Sequence, residues 1–186
     1  MSADRGVVAL LFGLSGAGKS TIATATAARL RAAGLTVHLL DGDIVRATLS
    51  ADLGFGPADR REQLRRVAAA SVAAADQGAV VIAALIAPEQ AARDAFEGAV
   101  RSAGHRFVDV HVATSLGVCE ARDVKGLYAA ARAGRIEDFT GVSAPFDWPE
   151  HSSVRVDGGV GTIEEASLIV ASAILRARST PAALPE

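Results

Sequence analysis

The hydrophobic positions of the chain fall into two alternating kinds of segment. Val7–Phe12 is an unbroken apolar run, the pattern of a strand covered on both faces, and Ala79–Ile86 is another, ending just before Pro88. Shorter runs at Thr36–Leu40, Phe107–Ala113 and Ser153–Asp157 read as further strands. Between them lie stretches of helix formers closed by glycine: Lys19–Ala33 before Gly34, Asp59–Gln77 before Gly78, and Pro88–Ala103 before Gly104. Ser115–Ala133 reads as helical with a break near Asp123–Gly126, and Thr162–Ala177 as a last helix with Glu164 and Glu165 near its start. The alanine-rich run Ala68–Ala75 predicts a helix face packed close to a sheet. This alternation predicts an α/β fold with a mostly parallel central sheet and helices on both faces. One domain is expected over 1–178, followed by a flexible tail, Ser179–Glu186, carrying Pro181 and Pro185.

Composition narrows the class without changing the fold. The 186 residues are 50% apolar and 22% charged, which excludes a disordered, collagenous or disulfide-scaffold chain. Nineteen basic residues face twenty-one acidic ones, a net charge of −2, so no global positive field draws nucleic acid or an anionic membrane. No apolar stretch approaches the roughly 20 residues of a membrane helix. Val7–Phe12 is short for a signal core and follows Asp4 and Arg5, so no targeting segment is expected. The single cysteine, Cys119, cannot form an internal disulfide, which points to a reducing cytoplasm.

The chemistry begins at Gly13-Leu14-Ser15-Gly16-Ala17-Gly18-Lys19-Ser20, a match to G-x-x-x-x-G-K-[ST] between a strand and a helix. Glycines there let backbone N–H groups wrap phosphate oxygens at a helix N-terminus. Lys19 is placed to reach the β- and γ-phosphates of ATP, Ser20 offers a hydroxyl to Mg²⁺, and Thr21 can support it. A phosphate loop alone specifies nucleotide binding and not the reaction. The short chain favours a small-molecule kinase, and no base-reading N/T-K-x-D segment of a GTPase is present.

Asp41-Gly42-Asp43 follows the second strand at the edge where ligands of open α/β sheets gather. One carboxylate could take or orient an acceptor hydroxyl's proton and the other hold a metal-bound water; the plainer alternative is an Asx turn. Arg46 lies a helical turn on, and Arg60, Arg61, Arg65 and Arg66 follow, with Arg61 expected to be the most exposed. Arginine forks match phosphate and sulfate, although any single one more often lines a solvated helix face. Phe55 and Phe139 sit in glycine-punctuated loops, as stacking platforms or core plugs. Arg122-Asp123-Val124-Lys125-Gly126-Leu127-Tyr128 breaks a helix with cations beside a glycine, as a lid over phosphates would or as a solvated corner would. The four histidines and Cys119 lack metal-ligand spacing, and Cys119 reads as a small buried hydrophobe.

Together, GLSGAGKST (13–21), LDGDIVR (40–46), LGFGPADRREQLRR (53–66) and VCEARDVKGLYAAARAGRIEDFTG (118–141) resemble the adenylylsulfate (APS) kinases, P-loop enzymes that phosphorylate the ribose 3′-hydroxyl of adenosine 5′-phosphosulfate with MgATP. The resemblance implies a three-layer P-loop NTPase fold. Phe55 and Phe139 would sandwich the acceptor's adenine, and Arg46 and Arg60 would hold its phosphosulfate. Gln63, Ile86 and Leu127 would complete that subsite, and Arg122 would join the ATP side. Lys125 would act where the two nucleotides meet, Asp41 and Asp43 would flank the hydroxyl and metal, and a homodimer is implied. The chain departs from the family's D-R-x-x-N-I-R-R at Gln63 and Leu64, and from I-S-P-x-R at Ala87 and Gln90. These departures gather on the acceptor side. They keep open a kinase of another anionic nucleotide or related metabolite, and a nucleotide-binding module without catalysis.

Overall fold

The computed structural model describes residues 6–179. Its elements are β1 (Val7–Phe12), α1 (Lys19–Ala32), β2 (Val37–Asp41), α2 (Gly42–Ala47), α3 (Pro57–Ala75), β3 (Val80–Leu85), α4 (Gln90–Ser102), β4 (Arg106–Val112), α5 (Leu116–Arg122), α6 (Leu127–Arg132), β5 (Val154–Val156) and α7 (Ile163–Ser179). The five strands lie in the order β2-β3-β1-β4-β5, and every pairing is parallel. Helices α1 and α7 pack together on one face, α3 and α4 on the other. The crossover from β3 past β1 to β4 makes β1 central, and the loop after β1 therefore opens where the strand order reverses.

The burial pattern explains the two unbroken apolar runs. All six residues of β1 and all six of β3 are buried, because each strand has a neighbour on both edges and helices on both faces. The small side chains of α3 let it approach closely. A Cβ at Gly6 would come within 2.6 Å of the Ala75 carbonyl, so glycine is required there by contact alone.

Several boundaries move for local reasons. Helix α3 starts at Pro57, ahead of the expected Asp59, with Gly56 as cap and proline in the first turn. Helix α4 starts at Gln90 because Ala87 takes a φ of 42° and Glu89 is extended. Helix α2 was not anticipated. Ser179, expected to open the tail, is the last residue of α7, and residues 180–186 lie outside those described. No described helix is long and apolar enough to cross a membrane.

One buried group gives the fold a pH dependence. His111 stacks on Phe12 with centroids 5.3 Å apart and meets Trp148 edge-on at 5.8 Å, while its Nε2 has no partner. Burial, then the charges of Arg155 and Arg93, push its pKa down to about 4. The unfolded chain takes up this proton near 6.5 and the folded chain only near 4, so stability falls as pH drops through that window. Urea unfolding should show about 2 kcal/mol less stability at pH 5 than at pH 7 from this group, a difference that His111→Phe removes.

Candidate active site

Gly13 leaves β1 with a φ of 151°, and a Cβ on it would stand 2.5 Å from the Val112 carbonyl, so the turn out of the sheet admits only glycine. Beyond it, donors distant in sequence hold the outward carbonyls of the loop. The Tyr128 hydroxyl donates to the Ser15 carbonyl at 2.9 Å, Arg122 Nη1 to Gly16 at 3.3 Å and the Thr114 hydroxyl to Ala17 at 2.8 Å. In a trans peptide the N–H opposes its C=O, so the amides of Gly16 and Gly18 face away from these donors, into the loop. Arg122 Nη2 also donates to Gly158 at 2.6 Å. A Cβ on Gly158 would lie 2.2 Å from the Ala17 carbonyl, which makes that glycine part of the cradle wall.

Lys19 is 9% exposed, and its ammonium donates to the Leu14 carbonyl at 2.7 Å. Burial lowers its pKa to about 8; the Asp41 and Asp43 carboxylates oppose that shift and Lys125 adds to it. These charges act on one another across the loop mouth, so the expected catalytic set, Lys19, Asp41, Asp43 and Lys125, shares one electrostatic neighbourhood. A triphosphate raises the Lys19 pKa and draws a proton onto it. Calorimetry near pH 8 in buffers of different ionisation enthalpy should record uptake of about half a proton per ATP bound, and affinity should fall as pH rises above 8. Ser20 and Thr21 are exposed in the first turn of α1.

Asp41 ends β2 and caps α2, its Oδ1 accepting the Asp43 N–H at 3.0 Å. The plainer Asx reading is thus realised for Asp41, while the Asp43 carboxylate accepts a hydrogen bond from Lys125 in the α5–α6 turn. Lys125 is exposed, Leu127 begins α6 and packs partly against the core, and Ile86 receives the Gly13 N–H on its carbonyl at 3.3 Å.

Residues expected on the acceptor side form a second cluster. Arg46 lies over the Phe55 ring at 4.3 Å and donates to the Gly54 carbonyl and to Gln63 Oε1, both at 2.6 Å. Phe55 is 66% exposed, whereas Phe139 is buried and meets Tyr128 edge-on. Arg60 fastens α3 to the Phe139 loop through the Thr140 hydroxyl at 2.7 Å and the Asp138 carbonyl. Burial depresses the Arg46 pKa, and the Arg60 charge depresses it further. Arg65, at 70% side-chain exposure, is more exposed than Arg61 at 59%, against the expectation, although each pairs with a glutamate.

The family described as Adenylylsulphate kinase matches residues 5–157, most of the chain. The chain belongs to that family. An adenylyl-sulfate kinase of Paraburkholderia xenovorans (strain LB400) is 55% identical over 149 residues, covering 80% of this chain and 82% of the relative. The APS kinase CysC of Mycobacterium tuberculosis, solved in complex with AMPPNP and APS, superposes with a TM-score of 0.89 at 38% identity, over 92% of this chain and 98% of that one. A gluconokinase of Sinorhizobium meliloti 1021, at 19% identity over 95% of this chain and 94% of that one with a TM-score of 0.57, shares the fold alone.

The three-layer P-loop architecture expected of an adenylylsulphate kinase is therefore present, with a fully parallel sheet. The departures from the family pattern now have places. Gln63, one methylene longer than asparagine, reaches Arg46, and Gln90 lies along α4, donating to Asp94 at 2.7 Å and accepting from Arg93 at 2.6 Å. Ala87 is buried with its carbonyl held by Arg93 at 2.7 Å. Thr114 and Gly158 were missed by motif reading. Thr114 stands two residues beyond β4 next to β1, a strand-end position that was itself a signal.

Proposed function

We propose that this chain transfers the γ-phosphoryl group of ATP to the 3′-hydroxyl of adenosine 5′-phosphosulfate, giving 3′-phosphoadenosine 5′-phosphosulfate and ADP. The observation that carries this acceptor is the placing of two part-buried guanidinium groups at aromatic rings, Arg46 over the exposed Phe55 ring and Arg60 fastened to the Phe139 loop on both sides of that residue. Two forks suit a phosphosulfate, and aromatic faces suit a purine.

The inward amides of Gly16 and Gly18 and the first turn of α1 take the triphosphate of ATP, and Lys19 leaves the Leu14 carbonyl for its terminal oxygens. Arg122 flanks this cradle through Gly16. Asp43 releases Lys125 and accepts the proton of the acceptor hydroxyl. The new P–O ester then forms in line as the bond to ADP breaks. Lys125, once freed, neutralises charge on the passing phosphoryl group. Gln63, Ile86 and Leu127 border the acceptor in this reading.

Mg²⁺ fits the donors present. Ser20 offers an exposed hydroxyl, and Asp41 and Asp43 lie close enough to act on Lys19. Among the described residues no group of three or more His, Cys, Asp or Glu holds a metal unaided, so phosphate oxygens and water would complete its shell. When bound it supplies neutralisation of phosphate charge. The same reading includes a homodimer and a cytoplasmic setting, the latter in keeping with the buried thiol of Cys119.

A comparison of kcat/KM for APS with that for AMP, adenosine, other nucleotides and gluconate tests the acceptor. APS is expected to exceed each by at least about a hundredfold, because only a ligand with both a purine and a phosphosulfate engages the Phe55 ring and the part-buried Arg46 and Arg60 forks together. Faster turnover of another acceptor would refute the assignment.

A further inference from the structure

Tyr128 touches both halves of the site at once. Its hydroxyl donates to the Ser15 carbonyl of the phosphate loop at 2.9 Å, and its ring meets the Phe139 ring edge-on, with centroids 4.9 Å apart at 82°. The residue is 2% exposed, so its ring has little room to relax independently. Its backbone is equally constrained. Asp123, at a φ of 26°, accepts the Tyr128 N–H at 2.9 Å and the Ala129 N–H at 3.0 Å, closing the turn that carries Lys125. On the far side the Phe139 loop is stiff. The Phe139 carbonyl accepts N–H groups from Val142, Ser143 and Ala144, each at 3.0 Å, and its N–H donates to the Ser143 hydroxyl at 2.9 Å. A displacement of the Ser15 peptide therefore reaches the Phe139 ring through one buried side chain.

We infer that Tyr128 is a positioning residue that couples the two nucleotide sites: it ties the orientation of the Ser15–Gly16 peptide, which faces the phosphates of ATP, to the Phe139 ring, which faces the acceptor. This rests on the reading of Phe139 as part of the acceptor site. Phosphates that draw the Gly16 N–H inward hold the Ser15 carbonyl against the Tyr128 hydroxyl, which sets the ring edge on Phe139. Coupling of this kind is reciprocal, so an acceptor seated on Phe139 steadies the loop in return. Burial keeps the phenol protonated and hence a donor across the working pH range.

The test is titration calorimetry of APS into the protein with and without saturating AMPPNP and Mg²⁺. The wild-type ratio of the two Kd values should differ from one. Tyr128→Phe keeps the ring and its packing but removes the donor, and should bring that ratio toward one by about fivefold, the worth of one hydrogen bond. Thr114→Val removes the neighbouring bond to the Ala17 carbonyl without touching Phe139. It should weaken AMPPNP binding and leave the ratio as in wild type, a split that a general loosening of the loop would not produce. A wild-type ratio of one, a Tyr128→Phe ratio equal to wild type, or equal losses in both variants would each overturn the coupling role. Failure of the wild-type protein to bind APS at all would instead overturn the acceptor reading on which the role rests.

Discussion

Lys19→Ala should lower kcat/KM for phosphoryl transfer by at least about a thousandfold while leaving the melting temperature unchanged or raised. The two expectations have one cause. Lys19 is a buried cation whose pKa burial lowers to about 8, so at pH 7 the empty protein bears the cost of keeping it charged. Its hydrogen-bond compensation is the Leu14 carbonyl, in a loop already constrained by Tyr128, Arg122 and Thr114, and the Asp41 and Asp43 charges offset the burial only in part. Triphosphate supplies the missing counter-charge, so the lysine is costly without ligand and valuable with it. Removing it relieves the first and forfeits the second. A purified variant with normal turnover, or one that has lost activity only because it unfolds, would contradict this account.

Asp43→Asn should lower kcat by about a hundredfold to a thousandfold with little change in KM for APS, the usual range for loss of a general base. Asn keeps the size and polarity of the side chain, and the Asp43 backbone N–H still caps through Asp41. What is lost is the acceptor of the hydroxyl proton and the counter-charge of Lys125. Asp41→Asn separates the two carboxylates. Asn caps helices as well as Asp, so α2 should persist, and only the negative charge opposite Lys19 disappears. Its loss should be smaller in kcat and should show as a higher Mg²⁺ requirement. If Asp41→Asn proves the more damaging to kcat at saturating Mg²⁺, the proton goes to Asp41 and the roles are reversed.

The parts of this molecule legible in its sequence are those whose physics is local. Val7–Phe12 needed only its apolar continuity to be read as a strand covered on both faces, and the phosphate loop only its glycines between strand and helix. Helix α2 was not legible. It spans six residues, starts at Gly42, and carries β-branched Ile44 and Val45. Its stability comes from the Asp41 cap and from Val45 inserted in the core, not from propensity. The carbonyl clamps were equally hidden, because Thr114 and Tyr128 stand 97 and 113 residues away from the carbonyls they hold. The cluster proposed for the acceptor sits between these cases. Its arginines and phenylalanines were visible as residue types, but only the fold brings Arg46 over the Phe55 ring and ties Arg60 to the loop of Phe139.

The most direct test is a single-turnover reaction of the purified chain with γ-phosphate-labelled ATP, Mg²⁺ and APS, with the labelled product mapped to its oxygen. The account predicts label on the ribose 3′-oxygen of APS, one ADP per phosphoryl transferred, and no transfer to a 3′-deoxy analogue. Label on any other position of the nucleotide, undiminished transfer to the 3′-deoxy analogue, or hydrolysis of ATP with APS left untouched would contradict it.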